Sequence, residues 1–349
     1  MVRKVVWLVL IASMLLGMVS LAAAQDEMTV LASGLNSPRQ LFIDQDGTVY
    51  IAEAGIGGDK EGKNLLGSTK FGTTGQITAV TPDGEQTIII SDLVSTDTGF
   101  GQIYGAGSIV VTDDSYWVAV GDGPSVEGLE EGQHVAGVIQ VAKDDMAMEQ
   151  FIDVGAWEAE NNPDQNPDDL VSNPVDLALA EDGTLYIVDA SGNSLISWTA
   201  ADGLQLVAAW PMEGETAAVP TAVALAPNGD IVVGFLGGFP FTSSRIEVWG
   251  TDGTLKKTYD KKLNLVTDVL VTADGSIYAV QMASGFGDLG FNPDSGSVVK
   301  VTDDGVEVIA ENLPAPYGLA EDADGNFWAS IHGIGGEEGN GEVVMVGAM

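Results

Sequence analysis

Four carboxylates occupy matched places in a segment that recurs along the chain. Asp176 and Asp268 each stand two residues after the residue that opens the segment, Pro174 and Val266, while Glu53 and Asp189 each stand six residues past its turn glycine, Gly47 and Gly183. Acids gathered from several such segments would offer hard oxygen ligands, the chemistry that holds calcium with about six to eight oxygens. A cation held there would polarise a carbonyl and lower the pKa of bound water, as in a divalent-metal hydrolase. The same acids at strand ends can instead cap backbone amides or hydrogen-bond a neighbouring segment. Other copies put Gln40, Ser108, Ala222 and Gly318 at the first position and Gly121, Phe235, Gln281 and Ile331 at the second, with Asp122 and His332 one residue further on.

Nucleophilic chemistry has less to draw on. The chain has no Cys, two His (His134 and His332) and no G-x-S-x-G elbow, so a serine or cysteine triad lacks its parts. Both His lie in Gly-rich loops and read as surface residues. The run GFGDLG, Gly285 to Gly290, matches a dinucleotide fingerprint in letters but falls between strands and opens no helix. The turns DQDG and DADG start like a calcium loop without its ligand series or closing Glu. The run ENNPDQNPDD, residues 160–169, reads as a Pro-broken solvated loop, although its acids could hold a cation.

The elements that would position these residues are strands. NSPRQLFIDQDGTVYIAEA, NPVDLALAEDGTLYIVDA, VPTAVALAPNGDIVVGFL, LVTDVLVTADGSIYAVQM and APYGLAEDADGNFWASIH align without gaps, and GAGSIVVTDDSYWVAVGD is a divergent copy. The turn glycines Gly183, Gly229, Gly275 and Gly325 are spaced 46, 46 and 50 residues apart, the period of one propeller blade. β-Branched and aromatic residues dominate with no helical period, so each unit is expected to contain strands only. Five units continue into a second hairpin, such as NSLISWTAADGLQLVAAW, whereas the last ends on the single strand GEVVMVGAM. The stretch MTVLASGL, residues 28–35, has the character of the missing fourth strand. The reading is therefore an all-β, six-bladed β-propeller of four-stranded antiparallel blades, closed by that N-terminal strand so that no free edge remains. It spans residues 25–349 as one domain.

In such blades the two hairpin turns lie on one face and the remaining connections on the other. The first face gets short Asp-Gly turns, while residues 54–74, 122–136, 158–172, 236–243, 282–295 and 332–340 all fall on the second. Long loops gathered on one rim of a rigid scaffold are where binding sites usually sit; plain surface is the alternative. Their aromatics, Phe71, Phe100, Trp157, Phe239, Phe241, Phe286 and Phe291, could form a ligand surface or fold back over the blade tops. Arg39 and Tyr317 are expected with Gln40, Asp122, Gln281 and His332 at the pore mouth, with Phe239 and Phe241 on the loops above.

Composition limits the partners. There are 51 acidic residues against 13 basic, a formal net charge of −38, which repels nucleic acid and anionic membrane. A small molecule, glycan or protein remains as partner. Residues 1–24 carry Arg3 and Lys4, an apolar run and Ala22-Ala23-Ala24, the pattern of a cleaved secretory signal; an uncleaved anchor is the alternative. The chain is thus expected outside the cytoplasm, and without Cys its ring must close by packing and hydrogen bonds alone.

LASGLNSPRQLFIDQDGTVYIAEAGIGG, GFGQIYGAGSI, PYGLAEDADGNFWASIHGIGG and the G-F-P-F loop at residues 238–241 together resemble the secreted ScyD/ScyE family of bacterial propellers, over nearly all of the chain from Val30 onward. The repeat is more loosely similar to NHL and SMP-30/gluconolactonase propellers. The first resemblance implies an exported binding or scaffolding propeller without agreed catalytic residues. The second implies a calcium-dependent lactonase, for which a Glu with Asn and Asp ligands would have to converge; Gln40 stands where an acid is wanted and no Asn completes the set.

Overall fold

The Asp-Gly turns set the fold going. In the first hairpin Gly47 adopts φ of 87° and donates its N–H to the carbonyl of Asp44, while the Asp46 carboxylate accepts from Thr48 N. Glycine takes that left-handed backbone without a Cβ clash, and the preceding acid caps the next amide, which is why the pair recurs. The same bond from the residue after glycine to the preceding Asp or Asn is made at Asp182, Asn228, Asp252 and Asp274.

The computed structural model describes residues 28–348 apart from 65–66, 100–101, 122–127, 167–169, 213, 215, 288–289 and 336. Six antiparallel sheets form a propeller. Blade 1 comprises Pro38–Ile43, Val49–Glu53, Gly67–Val80 and Gln86–Asp97, and blade 2 Ala106–Val111, Ser115–Val120, Gly137–Ala142 and Met148–Asp153. Blade 3 comprises Pro174–Leu179, Leu185–Asp189, Ser194–Thr199 and Gly203–Ala209, and blade 4 Pro220–Leu225, Ile231–Phe235, Arg245–Trp249 and Leu255–Tyr259. Blade 5 comprises Val266–Val271, Ile277–Gln281, Gly296–Thr302 and Gly305–Leu313. Blade 6 comprises Leu319–Glu321, Asn326–Ile331 and Gly341–Ala348, and its outer strand is Val30–Leu35 from the other end of the chain. The expected closure is therefore present.

The second strand of each blade reads as a continuous apolar run because both of its faces are buried. Leu185 and Ile187 pack toward blade 2 while Tyr186 and Val188 pack toward blade 4. Six apolar seams, one between each pair of neighbouring blades, result from this arrangement. A seventh cluster, around Leu265, Met282 and Phe241, lies among the long loops.

Connections read from the sequence as loops carry elements of their own. Residues Val154–Asn161 form a helix, α1, whose N-cap Asp153 accepts from Ala156 N at 2.8 Å. Eight residues are too few to show a helical period, so only the cap could have signalled it. The 54–74 connection is partly a hairpin, with Lys60–Asn64 paired to an extension of Gly67–Val80.

Candidate functional site

The mouth of the central channel on the long-loop face is a cavity of about 680 Å³. Its floor is built from one position of the blade repeat: Arg39, Gly107, Val175, Thr221, Thr267 and Tyr317, one from each blade, all line it. The first strand of each of blades 1 to 5 has a register shift just there, between Pro174 and Asp176 in blade 3 for example. A bulge re-aims side chains, and here it turns this residue into the mouth.

Above the floor, Phe239, Phe241, Phe286 and Phe291 form a linked aromatic cluster with ring centroids 5.0–6.2 Å apart. Phe239 is 69% exposed and Phe286 45%, while Phe241 and Phe291 are half-buried beside Leu236 and Ile334. The short hairpin Phe286–Gly287/Gly290–Phe291 positions two of these rings. Of the other loop aromatics, Phe71 is buried, Trp157 packs in the seam between blades 2 and 3, and Phe100 lies outside the described residues.

Arg39 is the charged residue among the described lining side chains. It is 6% exposed, donates Nη2–H to the carbonyl of Ile103 at 2.7 Å and stacks 4.3 Å over the Tyr317 ring. The lining holds no His, Asp or Glu among the described residues, so no general base faces the cavity there.

One residue further along the strands, the column Gln40, Ser108, Asp176, Ala222, Asp268 and Gly318 binds the blades to one another. Asp176 Oδ1 accepts from Ser108 Oγ and Leu177 N, and its Oδ2 accepts from Val223 N of blade 4, each at 2.8 Å. Asp268 likewise accepts from Val269 N and from Leu319 N of blade 6, both at 2.7 Å. Gln40 donates Nε2–H to the Thr267 carbonyl of blade 5 at 3.1 Å, and its Oε1 is buried without a hydrogen-bond partner. Long polar residues on odd blades thus alternate with small ones on even blades. Gly318 shows why: a Cβ there would stand 2.5 Å from Arg39 O and 2.9 Å from Gln40 Oε1. Burial pushes Asp176 up to about 7, against its hydrogen bonds. Asp268 is raised well above the usual carboxylate range by burial and by the nearby Asp176 charge.

Glu53, Asp189 and Gln281, at the ends of second strands, each accept the backbone N–H of the segment leading into their own blade, from Asn36, Asn173 and Asn264. Glu53 also takes Gln76 Nε2 and Thr78 Oγ1, and Asp189 takes Ser172 Oγ, Ser191 N and Gly192 N. Burial raises both acids, and these bonds pull them back. The four carboxylates are therefore not brought together: Asp176 and Asp268 face the channel, while Glu53 and Asp189 staple blade edges. Among the described residues no group of three or more His, Asp or Glu stands close enough to hold a metal ion. His332 is half-buried, with Nδ1 3.3 Å from Asn340 Nδ2, and does not line the cavity. Asp122 lies outside the described residues.

The pore-mouth column read from the sequence was one residue late. Val175, Thr221 and Thr267 were missed because strict strand alternation would point them into the seams, and the bulges that overrule it leave no mark beyond the repeated Pro or Val before them.

No protein-family model matches the chain, and a search of curated proteins returns no match. Solved structures are similar. A putative oxidoreductase (glucose dehydrogenase) from Thermus thermophilus is 12% identical over 91% of this chain and 99% of its own, with TM-score 0.56. A gluconolactonase from Xanthomonas campestris is 12% identical over 91% and 88%, with TM-score 0.55. A virginiamycin B lyase from Staphylococcus aureus is 11% identical over 91% and 97%, with TM-score 0.51. Three different activities on one scaffold, at such identities, show the β-propeller fold and assign no chemistry to this chain.

Proposed function

We propose that the protein is an exported, non-catalytic propeller that binds a small molecule in the cavity at the channel mouth of its long-loop face. The observation that carries this reading is the cavity itself: about 680 Å³, walled largely by apolar and aromatic side chains with a few polar groups on its floor. That size and character suit a small-molecule site. Among the described residues its lining offers no base, and the channel acids beneath it are already engaged by backbone amides, which favours holding a ligand over turning one over. The secretory pattern of residues 1–24 and the resemblance to ScyD/ScyE propellers support export.

Titration with Nile red, a neutral solvatochromic dye, tests the reading. Saturable blue-shifted fluorescence at one site is expected, weakened about tenfold or more by Phe241→Asp, which introduces an unpaired charge in the apolar wall. Absence of saturable binding, or binding indifferent to Phe241→Asp, would sink it.

A further inference from the structure

We infer that the ligand is an organic anion: a small, flat, largely apolar molecule with a carboxylate that meets Arg39 on the floor while its body lies under Phe239, Phe241, Phe286 and Phe291. The inference rests on the reading of the cavity as a binding site and adds the chemical class of what enters it.

A buried charge is costly unless paired, so natural proteins rarely leave one alone. Arg39 is 6% exposed, yet among the described residues no carboxylate lies within ion-pair range of it. In a chain with 51 acidic residues that isolation is notable. Burial lowers its pKa, and the groups that raise it are the phenols Tyr317 and Tyr104 rather than an acid. One N–H of the guanidinium is used by the Ile103 carbonyl and its face by the Tyr317 ring. These two contacts fix the plane of a group that has five donors in a fork suited to a carboxylate.

The two floor threonines and the Gln102 carbonyl oxygen are occupied. Thr221 Oγ1 donates to the Val266 carbonyl at 2.7 Å and Thr267 Oγ1 to the Tyr317 carbonyl at 2.9 Å. Gln102 Oε1 accepts from Tyr104 O–H at 3.2 Å. Among the described residues the cavity therefore presents one fixed cation at the bottom of an apolar, aromatic-walled space, complementary to a ring-bearing monocarboxylate. A neutral apolar ligand would fill the apolar space but leave the guanidinium unpaired and so bind more weakly, and a cationic one would meet like charge.

Calorimetric titration of the protein at pH 7 with three probes that share one body tests this: 2-naphthoate, 2-naphthalenemethanol and 2-naphthylmethylammonium. Naphthoate is expected to bind at least about tenfold more tightly than the alcohol, with the ammonium weakest, as a charge-assisted pair in a desolvated site implies. Arg39→Met should bring naphthoate to the level of the alcohol or below while the alcohol changes by less than about threefold, and Arg39→Lys should restore only part of the preference. Equal binding of naphthoate and alcohol, or tightest binding of the ammonium, overturns the inference and leaves the binding cavity standing. Binding of none of the three removes the cavity reading itself. The ranking on the unaltered protein decides the matter even where Arg39→Met fails to fold.

Discussion

At the scale of the residue, the channel acids behave as blade staples that prefer to keep a proton. Asp176 reaches about 7 against an ordinary 3.8, chiefly through burial, and Asp268 is raised well above the usual carboxylate range by burial and by the neighbouring Asp176 charge. A carboxyl whose folded pKa is raised holds a proton that the unfolded chain has already released. Its contribution to stability is complete below about pH 4 and is lost as the pH rises through about 7. Surface acids pulled down to about 2 by turn hydrogen bonds, such as Asp46 and Asp274, act in the opposite sense but only at lower pH. The thermal midpoint is therefore expected to fall between pH 5 and pH 8. Asp176→Asn should lower the midpoint at pH 5 by removing an acceptor from Val223 N, yet flatten the decline. An equal slope in the variant would exclude Asp176 as its source. Asp268→Ala leaves the N–H groups of Val269 and Leu319 unpaired and should cost about 2–4 kcal/mol in denaturant melts; a loss under about 0.5 kcal/mol would contradict the stapling role.

Among the elements, the strand Val30–Leu35 matters most for its length, because it joins the two ends of the chain. It pairs with Gly341–Ala348 and sends Ala32 and Leu35 into the seam between blades 6 and 1. With no Cys, nothing covalent supports that closure. Leu35→Ala, at a side chain 1% exposed, should cost about 3 kcal/mol and speed unfolding, read by stopped-flow dilution into urea. A change confined to the folding rate, with unfolding unaltered, would mean that the seam forms early instead of closing the ring last. The long loops add Trp157 to the seam between blades 2 and 3, whereas the Phe of residues 236–243 and 282–295 pack on one another and leave an apolar surface facing the cavity.

For the whole molecule, a net charge of −38 on 349 residues is a standing self-repulsion that the four ion pairs found among the described residues scarcely relieve. Two of those pairs are exposed on both sides and worth little. Salt shortens the reach of such repulsion to about 10 Å at 0.1 M. Raising sodium chloride from about 0.02 to 0.5 M should lift the thermal midpoint by roughly 5 °C. An unchanged or lower midpoint would show that the acids are spread too thinly to matter.

The sequence by itself determined the ring. Turn glycines at blade spacing, Asp-Gly caps and apolar second strands act within a few residues, so hairpins and their order can be read from local pattern, and the leftover strand at each end makes closure follow. It also placed Asp176, Asp268, Glu53 and Asp189 correctly on their strands. What those carboxylates do was decided by the tertiary structure, since an acid at a strand end looks the same whether it meets a cation or the amide of the next blade. The bulges that turn Val175, Thr221 and Thr267 into the cavity, the lack of a carboxylate partner for Arg39 among the described residues and the meeting of four Phe from two loops are equally invisible in one dimension. Each depends on which atoms of distant segments arrive together, and burial and partnering, rather than residue type, set the chemistry of a polar group.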